Sequence, residues 1–332
     1  MANLKRFIVR RLLTFIPTLI GATFLVFVIA AVIPADPARL WAGGEKANAA
    51  VVAMLRKEYH LNDPIWVQYY YFMVNLFTNK MVSPVTQTHV WSTLLSRLSV
   101  TLQLTIFAFI LIVVTSIPLG ILAALKRDTG VDFAIRMFSA ACMAMPIFWL
   151  AYLLIYVFFV KLGWITMAGA PAPPKTITGL PILDAIIEGR WDVVEAILRR
   201  YTLPAFVLAV PAIGFVTRIV RNSFLDAYSS DFVEYILARG LPKRTLYKHV
   251  LKNALVPVVT VLGLIFGGLL AGAPITEIIF ALPGVGSYIV QSIESFDYLS
   301  IVGAVFFIGL VFLVTNLIVD ILYALIDPRV RY

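Results

Sequence analysis

The chain is 332 residues long, 61% apolar and only 14% charged, whereas soluble domains run nearer about 45–50% apolar and about 25% charged. That composition excludes an ordinary soluble domain and makes this a polytopic membrane protein. The formal net charge of +9 does not point to nucleic acid, because the basic residues flank apolar runs instead of interleaving with aromatics, and in such a protein a basic excess reports topology.

A membrane-crossing helix needs about 20 predominantly apolar residues. The first such run, 12–33, holds no charged residue and follows Lys5, Arg6, Arg10 and Arg11. It is too long for a signal peptide and lacks a small-residue cleavage site, so it reads as a retained first span. Segment 34–98 follows as an outer segment, with an amphipathic helix, a turn at Asn62-Asp63-Pro64 and a second helix. Its aromatic group, Trp66, Tyr69, Tyr70, Tyr71 and Phe72, reads as an interfacial belt or as a surface for an external partner. Further spans are expected at 100–125, 138–160, 201–217, 254–276 and 299–319. Cys142 is the single cysteine and lies within the third of these six spans, so no internal disulfide is possible and a small buried side chain is expected. A second outer segment, 161–200, opens on Pro171, Pro173 and Pro174 and then offers one helix-like passage, LPILDAIIEGRWDVVEAILRR. The fourth span is short and carries Pro204 and Pro211, which membrane helices tolerate when neighbours satisfy the freed carbonyls. LPGVGSY at 282–288 reads as a tight outer turn.

Six spans put both termini on one side. With the N-terminus inside, the inner segments hold 16 Lys/Arg against 6 Asp/Glu, and the outer segments 11 of each. The inner excess sits in the shorter loops, which are the ones that set orientation. Both termini and the segment 226–253 are therefore expected to be cytoplasmic.

That segment contains the most informative stretch, DFVEYILARGLPKRTLYKHVLKNALVP at 231–257. Asp231 followed by Glu234 has the form of a capping box. Gly240 sits where a left-handed cap would end the helix, and Pro242 suits the first position of a second one. Phe232, Val233, Ile236 and Leu237 form an apolar stripe at helical spacing. On a membrane-side loop such a stripe must meet headgroups, its own protein or a docked partner.

Other chemistry has little support. No GxxxxGK[ST] phosphate loop occurs, so ATP is not bound here by that device. His60, His89 and His249 are far apart in the chain and lack metal-ligand spacing. Glu277 and Asp320 are the intramembrane acids available for ion coupling, each near a span's end, where capping or interhelical hydrogen bonding is the simpler role. Two alternatives stay open from the residues alone: an ion-coupled secondary carrier, and a membrane scaffold that recruits a cytoplasmic partner.

The stretch 231–257 resembles the cytoplasmic coupling loop of ATP-binding-cassette (ABC) importer permeases. The likeness rests on E-x(5)-G across Glu234 to Gly240 and an apolar-flanked proline at Pro257. It extends along the chain through FIVRRLLTFIPTLIGATFLVFVI, LNDPIWVQYYYF, LLSRLSVTLQLTIFAFILIVVTSIPLGILAALKR, MPIFWLAYLLIYVFFVKLGWI and NLIVDILYALIDPRVRY to the first permease subunit of the oligopeptide/dipeptide/nickel importers. One departure is that Ile236-Leu237 replaces the first of two small-plus-basic pairs common there, while Ala238-Arg239-Gly240 keeps the second. The resemblance implies an all-α, type I ABC importer permease fold with six transmembrane helices in one domain, 1–332, lying in the cell membrane. It implies no enzyme activity and no cofactor in this chain, with ATP and Mg on a partner ATPase. The implied partners are a sibling permease, two cytoplasmic ATPases and an external solute-binding protein, for import of peptides, oligosaccharides or nickel chelates. The implied docking element is Asp231, Phe232, Val233, Glu234, Tyr235, Ile236, Leu237, Ala238, Arg239, Gly240 and Leu241. In span five, Gly263, Gly267, Gly268 and Gly272 would allow close helix packing, within the chain or against the sibling.

Overall fold

A computed structural model describes residues 2–32, 36–164 and 177–326, with side chains within 13–31, 36–164 and 177–318. Pro171, Pro173 and Pro174, the side chains of Lys5, Arg6, Arg10 and Arg11, and the carboxylate of Asp320 lie outside these. The described residues form helices and no strand, apart from an isolated bridge between Val82 and His89.

In chain order the helices are α1 (Ala2–Val32), α2 (Pro37–Trp41), α3 (Ala49–Glu58), α4 (Ile65–Phe77), α5 (Val90–Leu125), α6 (Gly130–Ala144), α7 (Ile147–Ile155), α8 (Pro181–Ile187), α9 (Trp191–Tyr228), α10 (Asp231–Ala238), α11 (Lys243–Leu270), α12 (Pro274–Ile279), α13 (Val285–Glu294) and α14 (Tyr298–Ile326). Five described helices are long and apolar enough to cross a membrane: those carrying Leu13–Ala31, Val90–Leu125, Trp191–Tyr228, Lys243–Leu270 and Tyr298–Ile318. A bent pair, Gly130–Ala144 and Ile147–Lys161, meets at 95° and makes a sixth when the two are taken together as one broken span. The span expected over 138–160 is thus not one continuous helix. Pro146 lacks the N–H that would continue the ladder, and its ring disfavours helical backbone at Met145, whose ψ is 120°.

Two other expectations are revised. The passage 180–200 is not one helix, because Gly189, at φ +69°, separates α8 from α9. The fourth span is not short: α9 runs 38 residues without a break across Pro204 and Pro211. Pro17, Pro118 and Pro257 likewise sit inside helices, so in these apolar segments proline is weak punctuation.

The chain divides into two compact units. One comprises the described residues within 1–101 and 283–314; the other comprises those within 102–282 and 315–326. In the first unit, Phe27, Phe72, Leu76, Leu94, Val302 and Phe307 belong to one buried cluster. The aromatic group of α4 divides within it. Phe72 is buried and Tyr69 packs edge-on against Phe24 and Phe27, its hydroxyl 2.8 Å from Thr23 Oγ1. Trp66 and Tyr70 stay exposed. Buried Asp297 accepts hydrogen bonds from Ser83 Oγ and Ser300 Oγ, and the Tyr288 hydroxyl donates to Ser300 Oγ. At LPGVGSY the turn ends at Gly284, the N-cap residue, and Val285 already begins α13.

In the second unit, α9 is the central element, packed along both α6 and α11. Glycine makes the approach of α9 to α6, and that of α5 to α9, possible. A Cβ on Gly214 of α9 would stand 2.4 Å from the Ser139 carbonyl of α6, and one on Gly120 of α5 2.5 Å from Val220 Cβ. Outside the spans, Thr178 donates to Asp184 through its hydroxyl (2.6 Å) and backbone N–H (2.7 Å), which holds that carboxyl below the usual range.

Candidate functional site

The stretch 231–257 folds as a short helix, a glycine turn and the start of a long helix. Its cap differs from the sequence expectation. Ser230, not Asp231, is the N-cap residue, and it makes no side-chain capping bond to the helix. Its hydroxyl instead donates to the Asp226 carbonyl at 3.0 Å, as does that of Ser229. These two serines are the whole connection between α9 and α10. Asp231 and Glu234 then lie in the first turn of α10, where carboxylates favour the positive end of the helix dipole.

The C-terminal end follows the expectation closely. Gly240 has φ +64°. The Leu241 N–H donates to the Ile236 carbonyl and the Gly240 N–H to the Leu237 carbonyl, the paired bonds of a Schellman motif. Pro242, expected at the first position of the second helix, is instead its N-cap, one residue before Lys243 begins α11. A Cβ at Gly240 would meet nothing within 4 Å, so the demand for glycine there is purely conformational.

The apolar stripe has two destinations. Val233 and Ile236 are buried in a cluster with Ala124 of α5, Phe224 and Ala227 of α9, and Leu246, Val250 and Ala254 of α11, while Phe232 packs against its edge. Burying side chains of this size stabilises by about 1.5–3 kcal/mol each, enough to hold an eight-residue helix that would not persist alone. Leu237 is 54% exposed, Tyr235 57% and Leu241 42%. The Arg239 guanidinium lies 4.5 Å from the Tyr235 ring centroid. Lys243, Arg244 and Lys248 are exposed as well. The element therefore presents an apolar patch edged by cations, on a mount fixed to three long helices.

One charged pair escaped the sequence reading. Asp132 of α6 is fully buried and accepts from Arg221 Nε at 2.6 Å and Nη2 at 2.8 Å, with Arg136 at 3.5 Å. Asp132 falls six residues before the expected third span, in a segment that reads as loop. The signal that could have found it is the i, i+4 spacing to Arg136. Glu277, in contrast, is buried in the second unit on α12. His60 pairs with Asp63 and stacks on Tyr71, and His249 is exposed on α11. No group of three or more His, Cys, Asp or Glu suited to a metal occurs among the described residues.

Against this geometry, comparison with known proteins is decisive. Residues 116–332 match the family described as binding-protein-dependent transport system inner membrane component, and residues 4–105 match its N-terminal companion. The chain belongs to this family. The permease is 37% identical to the dipeptide transport system permease protein of Alkalihalophilus pseudofirmus, over 97% of this chain and 98% of the relative. It is 34% identical to the di/tripeptide transport system permease protein of Pseudomonas aeruginosa, over 98% of both chains. It is also 34% identical to a glutathione transport system permease protein of Escherichia coli, over 98% of this chain and 99% of the relative. The permease thus has the all-α type I ABC importer permease fold, and it is a multi-pass membrane subunit of an ABC transport system.

Proposed function

We propose that the permease forms part of the translocation path of an ATP-driven importer of short peptides and that α10 with its glycine turn is the element that receives the motion of an ATPase. The observation that carries this reading is the division of the α10 stripe. Val233 and Ile236 are spent on the protein's own core, and Tyr235, Leu237 and Leu241 are left exposed as anchors for a helix-in-groove contact. Asp231, Glu234, Ala238 and Arg239 surround those anchors on the exposed surface.

A docked helix transmits motion only if it cannot pivot. Burial of Val233 and Ile236, the two-serine link to α9 and the Schellman turn into α11 together make α10 move as one body with the helices on either side. When two ATPases close on ATP and Mg, docked loops are drawn together and the long helices rock, a two-state element biased by a ligand on another chain. The rest of the assembly in this reading is a sibling permease, two cytoplasmic ATPases and an external solute-binding protein in the cell membrane. Segment 226–253 and both termini are cytoplasmic, while 34–98 and 161–200 face outward. The named substrates of the relatives, dipeptides, tripeptides and glutathione, favour peptides over the oligosaccharides that the resemblance also admits.

The test is Leu237→Asp in the full transporter. Because Leu237 is exposed, the chain should fold and insert normally. ATPase co-purification should fall severalfold, and ATP-dependent dipeptide uptake into proteoliposomes with it. Undiminished association and uptake would refute the docking role.

A further inference from the structure

Between α6 and α9, at the end of the second unit that carries α10, lies a pocket of about 220 Å³ whose lining includes Arg136, Arg218, Arg221, Ser139, Thr217 and Met143. We infer that this pocket binds an oxyanion, the carboxylate or phosphate of an anionic solute or lipid. Three guanidinium groups face it; the Asp132 carboxylate pairs with Arg221 and Arg136, and Asp128, itself paired with Arg127, also acts on Arg221. Arg218 has no ion pair or hydrogen bond among the described residues. The pocket therefore keeps a positive excess, with one guanidinium whose fork of donors matches a planar or tetrahedral oxyanion.

The second observation is independent of charge. Ser139 Oγ and Thr217 Oγ1 are buried, line the pocket and have no hydrogen-bond partner among the described residues. Hydroxyls inside membrane helices commonly satisfy themselves on the carbonyl one turn back. Thr23, Thr115 and Ser116 of this chain do so. Ser139 and Thr217 do not, and both border the same cavity from facing helices. Buried polar groups without partners are rare in native folds; two of them beside an unpaired arginine mark a place where a ligand supplies the missing acceptor. Gly214 contributes by letting α9 approach the Ser139 backbone, which brings the two hydroxyl-bearing walls together. Ile135 and Met143 give the pocket an apolar side, suited to the stem that carries the anion.

Two sources share this chemistry: an anionic phospholipid headgroup from the adjoining leaflet, and the terminal carboxylate of a transported peptide. The second arm rests on the peptide reading above, which ATPase co-purification tests separately. The experiment uses the full chain in phosphatidylcholine nanodiscs. Binding of dioctanoyl phosphatidylglycerol is measured against dioctanoyl phosphatidylcholine, and of alanyl-alanine against its C-terminal amide. At least one anionic probe should bind more tightly than its counterpart. Arg218→Gln should weaken it about tenfold, which is about 1.4 kcal/mol, and Arg218→Lys should recover part of the loss. Ser139→Ala with Thr217→Val should weaken it further at unchanged thermal stability. Phosphatidylglycerol alone would assign the site to the membrane, and alanyl-alanine alone to the solute. Equal binding of anionic and counterpart probes, or an Arg218→Gln variant that is folded and binds as before, would overturn the inference.

Discussion

Gly214 and Gly240 lie on either side of the α9–α10 connection and are glycine for opposite reasons. Gly214 sits in mid-helix, with the α6 backbone so close that a single added carbon would stand 2.4 Å from a carbonyl oxygen and 2.9 Å from Cys142 Cβ. Gly240 has open space around it and a backbone at φ +64°. The first constraint belongs to packing between elements, and the second to the chain itself. The difference teaches where information about this protein resides: a local conformational demand leaves a mark in the neighbouring residues, and a steric one does not.

The comparison can be broken by substitution. The largest effect is expected for Gly214→Val, which must push α6 and α9 apart. Overpacking of this kind costs about 1–3 kcal/mol or more. It should lower the thermal midpoint of the purified chain and disturb the Asp132–Arg221 pair, whose groups lie on the separated helices. A thermal midpoint equal to wild type would show that α6 yields freely and that its contact with α9 is not close-packed.

Gly240→Val comes next and should act differently. A β-branched residue resists positive φ, and strain of about 1–3 kcal/mol falls on the Schellman turn. Hydrolysis by the assembled ATPases should continue while dipeptide uptake drops, because α10 no longer moves as one body with α11. Gly240→Asn, which tolerates the left-handed region, should keep most of the uptake. If Asn proved as damaging as Val, side-chain bulk at the docked surface, not backbone strain, would be the cause.

The smallest effect is expected for Glu234→Lys. Glu234 is exposed and makes no capping bond, so its contribution is the dipole interaction, about 0.3–1 kcal/mol, plus any charge preference of the partner. ATPase association should weaken by no more than a few-fold at low salt and recover toward wild type in Glu234→Gln. A complete loss would mean that Glu234 makes a direct contact with the ATPase.

The same division runs through the rest of the chain. The end of α10 was legible because Gly240 and Pro242 follow an apolar stripe of helical period, and each residue imposes a backbone preference without help from distant groups. Its start was misread by one residue: Asp231 and Glu234 have the spacing of a capping box, yet Ser230 takes the cap and turns its hydroxyl back to Asp226. Both serine and aspartate suit that position, and the pull of Val233 and Ile236 into their cluster decides between them. Likewise the stripe announced four apolar residues but not that two would be consumed inside and one, Leu237, left exposed. The break at Pro146 and the uninterrupted course of α9 through Pro204 and Pro211 show proline doing opposite things in similarly apolar surroundings.

By itself the sequence determined the all-helical, membrane-spanning character, the approximate place of each long helix and the glycine turn after α10. All of these follow from composition, period or single-residue conformational preference, which act over one or two turns of chain. Tertiary structure alone decided that the third span bends at 95°, that Asp132 is paired with Arg221 at a distance of 89 residues along the chain, and that Ser139 and Thr217 are buried beside one cavity without partners. Those depend on which faces of separate helices meet, and in a chain so uniformly apolar the hydrophobic pattern leaves the facing residues unmarked.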